Sequence, residues 1–320
     1  MTIPARDYAL ISPCRNEAQY MRRTLDSVLA QTLPPARWII IDDGSTDETP
    51  AILAEYARAH PAIRIVTRAD RGHRAVGPGV VDAFYAGYEI LDRSYTYIAK
   101  LDLDLDLPPR YFETLIERME AEPRLGTCSG KPYMRTAAGT LVSEKCGDEM
   151  SVGMTKFYRR SCFEEIGGFV RGVMWDGIDC HKARSLGWMA ESWDAPDLRF
   201  EHLRPMGSSQ KGVLTGRARH GAGQWFMGSD PLYYAATCVF RMTHPPLVLG
   251  GLAMAWGYLN AWMAGAPQQE DRALIRFIRA YQRQALLRGK ARAIAAIDAA
   301  GATLWASRHG NTPPRAEAAA

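Results

Sequence analysis

Residues 98–109 read Ile98-Ala99-Lys100-Leu101-Asp102-Leu103-Asp104-Leu105-Asp106-Leu107-Pro108-Pro109. In an extended strand, successive side chains point to opposite faces, so the three aspartates share one face and the leucines the other. The preceding residues 95–99 are mostly apolar and predict a buried strand, which the two prolines end. We therefore expect the acids at the carboxyl end of a core strand, where open α/β sheets bind ligands.

The acidic face of this stretch favours a bound cation. Two carboxylates about 7 Å apart repel by roughly 2 kcal/mol at an effective dielectric of about 20, and a third adds to the repulsion. Carboxylate oxygens suit Mg²⁺ or Mn²⁺, which keep some waters and take further ligands from substrate phosphates. The alternative is an acidic, solvent-exposed face on an edge strand.

Composition sets broad limits on the class of protein. With 320 residues, 47% hydrophobic and 23% charged, the chain can bury a core of enzyme size. Its net charge of +4 is small and spread over most of the sequence, which argues against a nucleic-acid partner. The six cysteines have neither C-x-x-C nor metal-ligand spacing, so we expect reduced thiols. The first residues contain no apolar signal-peptide core, so we expect the catalytic part in the cytosol.

Strands and helices alternate over the first 120 residues. The predicted strands cover 8–12, 37–41 and 63–67, and the predicted helices cover 17–31, 48–60, a segment ending at Leu91, and 110–120. This alternation predicts a parallel sheet that is covered by helices on both faces.

The second predicted strand ends in Asp42-Asp43-Gly44-Ser45-Thr46-Asp47. A carboxylate at a strand end can accept the ring N–H of a pyrimidine base, and the helix start beyond it offers unpaired backbone N–H groups. Turn formation alone explains the same residues. The segment indicates a nucleotide site only together with other motifs.

Four blocks of sequence occur in a fixed order. They are Ser12-Pro13-Cys14-Arg15-Asn16-Glu17, residues 25–32, residues 40–47 and Leu101-Asp102-Leu103-Asp104. Together they resemble the family 2 glycosyltransferases over roughly the first 200 residues. The resemblance implies an α/β fold of the GT-A type, with a mostly parallel central sheet flanked by helices. It also implies binding of a nucleotide-sugar and inverting sugar transfer of the kind used in bacterial polysaccharide assembly.

The resemblance also implies roles for single residues. Asp43 matches the base-binding aspartate, and Asp102 and Asp104 match the D-x-D pair. Asp104 is the first choice as metal ligand. Asp102 is expected nearer the ribose and diphosphate, and it is a second candidate ligand of the metal. His202 is a further candidate ligand for Mn²⁺ or Mg²⁺, with a structural histidine as the alternative. Asp106 lies outside the motif and is expected to be solvated or structural. The other predicted nucleotide-sugar contacts are Pro13, Arg15, Asn16, Glu17, Ser45 and Arg159.

Sugar transfer of this kind needs one base. The acceptor hydroxyl loses its proton as it attacks the anomeric carbon from the face opposite the departing diphosphate. The segment Trp175-Asp176-Gly177-Ile178-Asp179 resembles the acceptor region of the family, with Ile178 where the family usually has Glu. Asp179 is the first choice for the base and Asp176 the second, and a helix N-cap is the structural alternative for Asp179. The glycine- and arginine-rich run 206–228 resembles a flexible lid.

The last third of the chain has a different character. Residues 247–266 carry no charge and are just long enough to span a bilayer at about 1.5 Å of rise per residue. The glycines, the aromatics and Asn260 favour an interfacial or monotopic helix instead. Beyond it, a basic stripe beside an apolar stripe is typical of binding to anionic lipid headgroups, or of a helical cap packed on the enzyme. The basic stripe consists of Arg272, Arg276, Arg279 and Arg283.

These patterns predict a domain division. We expect a GT-A domain over 1–230, with a nucleotide-sugar half at 1–107 and an acceptor half at 108–230. A helical, membrane-associating extension is expected at 231–310 and a disordered tail at 311–320. The expected activity is metal-dependent transfer from a nucleoside-diphosphate sugar, UDP by preference, to a lipid-linked or growing saccharide. The expected place is the cytosolic face of the inner membrane, peripheral or monotopic, in exopolysaccharide, capsule or O-antigen synthesis.

Two other functions remain open at this level. A sugar-nucleotide nucleotidyltransferase also uses acidic strand ends, but it requires a glycine-rich phosphate loop where this chain has residues 13–17. A non-catalytic saccharide- or membrane-binding scaffold is compatible with the departure at Ile178. No motif indicates the donor sugar, the accepting hydroxyl or the oligomeric state.

Overall fold

A computed structural model describes residues 6–72, 77–204 and 212–310 of the chain. The predicted tail at 311–320 and the first part of the predicted lid, 206–211, lie outside the described residues.

Strands and helices alternate as the sequence predicts. The strands are β1 (Tyr8–Cys14), β2 (Arg37–Asp42), β3 (Ile63–Thr67), β4 (Tyr97–Leu101), β5 (Leu105–Asp106), β6 (Leu125–Ser129), β7 (Lys131–Arg135), β8 (Leu141–Ser143), β9 (Thr155–Arg159), β10 (Met189–Ser192) and β11 (Arg199–His202). The helices are α1 (Met21–Leu29), α2 (Thr49–Ala59), α3 (Pro78–Tyr88), α4 (Tyr111–Ala121), α5 (Arg160–Glu165), α6 (Trp175–Ser185), α7 (Val213–Met227), α8 (Pro231–Arg241), α9 (Leu249–Met263), α10 (Arg272–Arg288) and α11 (Lys290–His309).

The main sheet has seven strands in the order β10-β6-β9-β4-β1-β2-β3. Its pairings are parallel except those of β9, which runs antiparallel to both β4 and β6. The sheet is therefore mixed and mostly parallel. Its parallel strands β1, β2 and β4 end at one edge, which is where the sequence places the acidic motifs.

Both faces of the main sheet are buried, which explains the continuous apolar runs of its strands. Leu10 and Ile40 point into one core with residues of α1 and α4, and their neighbours Ile11 and Ile41 point into the other with residues of α3. Trp38 of β2 is fully buried, and its indole N–H donates to the Ser12 hydroxyl at 2.9 Å.

The alternation of leucine and aspartate does not form one strand. Strand β4 ends at Leu101, residues 102–104 turn, and β5 joins a second sheet of order β5-β11-β7-β8. The Asp102 N–H donates to the Met154 carbonyl at 2.8 Å, and the Asp104 carbonyl accepts from the Leu203 N–H at 2.8 Å. The turn is held between the two sheets. Asp102 and Asp104 therefore do not share one strand face, and the prediction from the alternation is wrong on this point.

The apolar stripe of α10 faces protein. Leu274 and Ile278 are buried against Ile178 of α6 and Met227 of α7. On the basic stripe, the Arg279 Nε donates to the Gly228 carbonyl at 2.9 Å. The helical-cap alternative therefore describes the apolar stripe of α10, and the prediction that this stripe faces lipid is wrong.

Two findings concern the other C-terminal predictions. Among the helices of the described residues, none combines the length and the apolar character needed to cross a membrane. The described part of the predicted lid is the regular helix α7, which packs against α9. Gly221 approaches the backbone of Met254 so closely that a Cβ would clash, and Gly257 approaches Ala218 in the same way.

A buried histidine predicts acid sensitivity of the fold. His181 of α6 is 5% exposed and lies 5.4 Å from the Tyr281 ring of α10 between ring centroids. Burial, together with the charges of Arg184, Lys290 and Lys156, lowers the pKa of His181 to about 3. Below pH about 6.5 the unfolded chain binds a proton at this position and the folded chain does not, so stability is lost as the pH falls.

We expect His181→Gln to reduce this acid sensitivity. Between pH 7 and pH 5, the parent should lose about 2 kcal/mol of unfolding free energy through His181, and the variant should not. Urea denaturation at both pH values measures the difference, and His60→Gln is the control because His60 lies at the partly exposed end of α2. Equal losses in the parent and His181→Gln would contradict the expectation.

Candidate active site

A cavity of about 590 Å³ opens at the edge where β1, β2 and β4 end. It is lined by the segments after these strands, by the turn before β5, by the end of β11 and by the first turn of α6. The structure thus brings together eight of the predicted site residues, which come from five separate segments of the chain. They are Pro13, Arg15, Glu17, Asp43, Asp102, Asp104, Asp176 and His202.

Asp43 is held by arginines at the end of β2. Its carboxylate is 3.0 Å from Arg68 Nη1 and forms a second ion pair with Arg71. Its backbone carbonyl accepts from Arg15 Nη1 at 2.6 Å. Arg15 also reaches Asp70, with 2.5 Å between Nη2 and Oδ1. Arg15 therefore fixes the loop that presents Asp43 to the cavity.

Asn16 and Ser45 join two loops and do not line the cavity. The Asn16 N–H donates to the Ser45 hydroxyl at 2.9 Å, and the Asn16 side-chain oxygen accepts from the Thr46 N–H at 2.8 Å. These bonds tie the end of β1 to the turn after β2. The structure thus gives both residues a positioning role for the neighbouring Asp43.

Asp102 is paired with a buried lysine that sequence analysis missed. Lys100 Nζ lies 2.5 Å from Asp102 Oδ1 and 2.9 Å from the Gly153 carbonyl, and it lies above the Trp175 ring at 5.4 Å. Lys100 is 3% exposed and lines the cavity. Lys100 lies two residues before Asp102, and in a strand this spacing puts both side chains on one face. The spacing could have indicated the pair from the sequence.

Asp104 is the most deeply buried acid of the cavity, at 2% exposed. Its Oδ2 lies 2.5 Å from Arg204 Nε and 3.6 Å from His202 Nε2. Burial raises the pKa of Asp104, but His202 and Arg204 lower it by a larger amount. The pKa of Asp104 therefore lies below its ordinary value. The other oxygen, Asp104 Oδ1, is buried and has no hydrogen-bond partner among the described residues.

His202 is held between two carboxylates. Its Nδ1 lies 2.7 Å from Glu144 Oε2, and its Nε2 faces Asp104. Burial lowers the pKa of His202, but hydrogen bonds to Asp104 and Glu144 outweigh it and raise the pKa to about 9. Arg204, two residues further along, bridges Asp104 and Glu17, with 2.9 Å from its Nη2 to Glu17 Oε1. Sequence analysis missed Arg204, although it follows His202 at strand spacing.

The fit to a divalent metal depends on these two side chains. The described residues contain no group of three or more His, Cys, Asp or Glu side chains that could hold a metal ion. The unpartnered Asp104 Oδ1 is a suitable donor for Mn²⁺ or Mg²⁺, and the neighbouring His202 becomes one when its Nε2 gives up the proton that a pKa of about 9 keeps on it at neutral pH. They fit such an ion when substrate phosphate and water supply the remaining ligands, as is usual for Mg²⁺.

The two candidate bases have different surroundings. Asp176 lines the cavity at the first turn of α6, and burial raises its pKa, with Lys156 opposing the shift. Asp179, one turn further, lies outside the cavity lining with its side chain 1% exposed. Its carboxylate is 2.6 Å from Lys156 Nζ and accepts from the Tyr158 hydroxyl. The cavity therefore presents Asp176, and Asp179 belongs to a buried ion pair behind it.

Arg159 lies at the other end of the sheet. It pairs with Tyr97, the first residue of β4, and its Nη2 donates to the Met119 carbonyl at 2.7 Å. Because β9 runs antiparallel to β4, its last residue is opposite to the acidic edge. Arg159 is not part of the cavity, and the prediction that it contacts the nucleotide-sugar has no geometric support.

The mixed sheet order and the acidic cavity define a GT-A-like α/β protein. Residues 9–171, just over half of the chain, match the family model for glycosyl transferase family 2. The chain therefore belongs to this family and is a glycosyltransferase. This assignment sets aside the nucleotidyltransferase alternative.

Two curated relatives of the chain carry the same name. Over 132 residues the chain is 33% identical to a poly-beta-1,6-N-acetyl-D-glucosamine synthase of Staphylococcus epidermidis, covering 40% of this chain and 29% of the relative. It is 30% identical over 131 residues to the synthase of the same name from Staphylococcus aureus strain COL, with the same coverage of both chains. The chain thus spans 29% of the length of either relative.

A solved structure supports the fold. The crystal structure of GalNAc-T7 with UDP, GalNAc and Mn2+ superposes with a TM-score of 0.54 at 13% identity, covering 87% of this chain and 57% of that one. At this identity the likeness concerns the fold alone, and it confirms the predicted GT-A type.

The buried pair behind the cavity predicts a stability effect. Lys156 is fully buried, so Asp179→Asn leaves its charge without a counterion and should lower the unfolding free energy by about 3 to 5 kcal/mol. Replacing both residues, with Lys156→Met and Asp179→Leu, should recover most of this loss because no unpaired charge remains.

Asp176→Asn is the matched control, with an expected change below about 1 kcal/mol. Burial already disfavours the charged form of Asp176, so a neutral amide is tolerated there. Urea denaturation at neutral pH measures all three variants. An Asp179→Asn variant as stable as the parent would show that the pair does not hold α6 in place.

Proposed function

We propose that this glycosyltransferase moves a sugar, with inversion, from a nucleoside-diphosphate sugar to a saccharide acceptor with the help of a divalent metal. One observation supports this most strongly: Asp43, Asp102, Asp104 and Asp176 surround a single cavity, although they come from three separate segments. In the proposed function, Asp43 contacts the base, Asp102 and Asp104 serve the metal and the diphosphate, and Asp176 serves the acceptor.

Asp43 supports a pyrimidine nucleotide as the donor. Its carboxylate is a hydrogen-bond acceptor for a base N–H, and the neighbouring Arg68 and Arg71 fix its orientation. UDP is the first nucleotide to test. The names of the two staphylococcal relatives support N-acetylglucosamine as the first sugar.

Asp104 and His202 are the proposed metal-binding residues, and Asp102 faces the same space. When bound, Mn²⁺ or Mg²⁺ supplies positive charge for the departing diphosphate. Arg204 lies 2.5 Å from Asp104 and adds a second positive group at this place. Lys100 keeps Asp102 oriented by its ion pair. The site therefore combines acids for a metal with fixed cations for phosphate.

Asp176 is the base that the geometry supports, and Asp179 stays a prediction without a place in the cavity. As the acceptor oxygen forms its bond to the anomeric carbon, the bond from that carbon to the diphosphate oxygen breaks, and the hydroxyl proton passes to Asp176. A raised pKa suits this role because it brings a carboxylate closer to the working pH.

The acceptor is proposed to be a lipid-linked or growing saccharide at the cytosolic face of the inner membrane. Assembly of an exopolysaccharide, a capsule or an O-antigen would use such an acceptor. The relatives' names support polysaccharide synthesis. The assignment to the glycosyltransferases sets aside the non-catalytic scaffold, which the departure at Ile178 had kept open.

Nucleotide binding tests the donor site. Thermal unfolding is measured with UDP, GDP, dTDP and CMP, each with and without Mn²⁺ or Mg²⁺. A ligand at about 100 times its dissociation constant stabilises the folded state by roughly 2.7 kcal/mol, which is a measurable shift of the midpoint. We expect a metal-dependent shift with UDP, and its loss in Asp104→Asn because the metal loses its buried carboxylate.

Asp106→Asn is the matched control for this experiment. Asp106 is partly exposed and pairs with Arg23 on the surface, outside the cavity. It should keep the full metal-dependent shift. A parent protein that shows no shift with any nucleotide would contradict the proposed donor site.

Product formation tests the base. We expect Asp176→Asn to lower the turnover number by about 100-fold or more while UDP and metal binding remain, because only proton removal is affected. Asp179→Asn should lose stability first, and its residual activity should follow the folded fraction. Radiolabelled sugar transfer, normalised to folded protein, distinguishes the two variants. Full activity in Asp176→Asn would return the role to Asp179.

A further inference from the structure

The first turns of α7 and α9 and the last turn of α8 lie on one side of the protein. Arg217 lies beside Gly250, Gly221 contacts Met254, and Trp225 packs on Tyr258 with 5.6 Å between ring centroids. Each of these pairs is separated by the same number of residues, so α7 and α9 run parallel. Helix α8 connects them and runs back, so its last turn lies near the starts of α7 and α9.

This side of the three helices is apolar and exposed. We refer to it as the apolar end, and its residues are Val213, Leu214, Val239, Phe240, Leu247, Val248, Leu249 and Leu252. These side chains are between 44% and 63% exposed, which is unusual for so many large apolar residues in one place, and Val213, Val239 and Leu247 have the highest value. Contiguous exposed apolar surface of this kind marks an interaction site.

The apolar surface continues along α9 because its two faces differ. Gly250, Met254 and Gly257 lie on the buried face against α7 and α8. The opposite face carries Trp256 and Trp262, which are 59% and 57% exposed. Tryptophan is enriched where a membrane meets water, since its ring is apolar and its N–H is polar.

Two arginines lie within the apolar end. Arg217 of α7 is beside the start of α9, and Arg241 is the last residue of α8. Neither takes part in an ion pair among the residues that the structure describes. Burial and the charge of Arg241 both lower the pKa of Arg217, as expected for two neighbouring cations. An anionic partner is therefore favoured here.

We propose that the apolar end docks on an anionic lipid bilayer, with Phe240 and Leu249 in the headgroup region and Arg217 and Arg241 on lipid phosphate. A second copy of the chain fits less well, because a two-fold contact through this surface brings four guanidinium groups together. Apolar side chains with cations beside them suit an anionic leaflet.

The docking surface deepens the proposed function, on which its biological role rests. Arg219 and His220 line the cavity and lie two and three residues after Arg217 on α7. A lipid phosphate held by Arg217 is thus one helical turn from the cavity. A lipid-linked acceptor would reach the site from this side.

Vesicle binding of the full chain tests the proposal. Co-sedimentation is measured with phosphatidylcholine vesicles and with vesicles that also contain phosphatidylglycerol. We expect stronger binding to the anionic vesicles. The pair Arg217→Gln and Arg241→Gln should lower the partition coefficient on anionic vesicles by about 30-fold and leave neutral vesicles unchanged. The pair Phe240→Glu and Leu249→Glu should abolish binding to both.

Matched controls lie on α10. Leu287→Glu changes an apolar residue that is 84% exposed, and Arg272→Gln with Arg276→Gln removes two exposed arginines. These variants should bind as the parent does. The proposal is overturned if they lose as much binding as the apolar-end variants, or if the parent binds neither vesicle. It is also overturned if light scattering shows a dimer that Phe240→Glu with Leu249→Glu converts to a monomer.

The UDP and metal shift is measured on the same variants. A retained shift with lost vesicle binding supports the docking surface as separate from the donor site. A parent that binds anionic vesicles and shows no nucleotide shift would support docking and contradict the proposed function.

Discussion

The structure depends on the double pairing of β4. This strand is hydrogen-bonded to β1 on one side and to β9 on the other, and it is buried throughout. A slip of one residue would turn Lys100 and every other side chain of the strand to the opposite face. The sheet register therefore fixes where Lys100 meets Asp102 and where the turn to Asp104 begins. Backbone pairing, rather than flexible side chains, sets the spacing of the acids.

The acids at this edge are held together by built-in cations. Asp43 has Arg68, Asp102 has Lys100, and Asp104 has Arg204 and His202. Without them, several buried carboxylates near one another would take up protons and lose their charge. The same cations suit the phosphates of a donor, so a ligand can exchange partners with them when it binds. The proposed recognition of a diphosphate thus uses the same residues as charge compensation in the free protein.

Sequence reasoning predicted the sheet and its acidic edge well, because buried strands and strand-end motifs are local signals. Asp43 and Asp104 line the cavity, and their predicted roles at the base and the metal stay predictions. Sequence reasoning ranked Asp179 before Asp176 as the base, because the sequence does not show which of two residues three positions apart on α6 faces the cavity. The deciding group is Lys156, which lies on β9 and buries the Asp179 carboxylate. The prediction for Arg159 lacks geometric support for a similar reason. Only the antiparallel direction of β9 places this residue at the end of the sheet away from the cavity.

The C-terminal helices show the limit of amphipathic patterns. Helix α10 has the more regular apolar stripe, and that stripe is buried against α6 and α7. Helix α9 is apolar all round, so its pattern alone indicates no direction. Its glycines resolve this, because Gly251 and Gly257 are the positions where neighbouring backbones approach. The glycine face must pack inward, so the tryptophan face is left outside. In such a helix, the small residues are a better guide to the exposed surface than the hydrophobic ones.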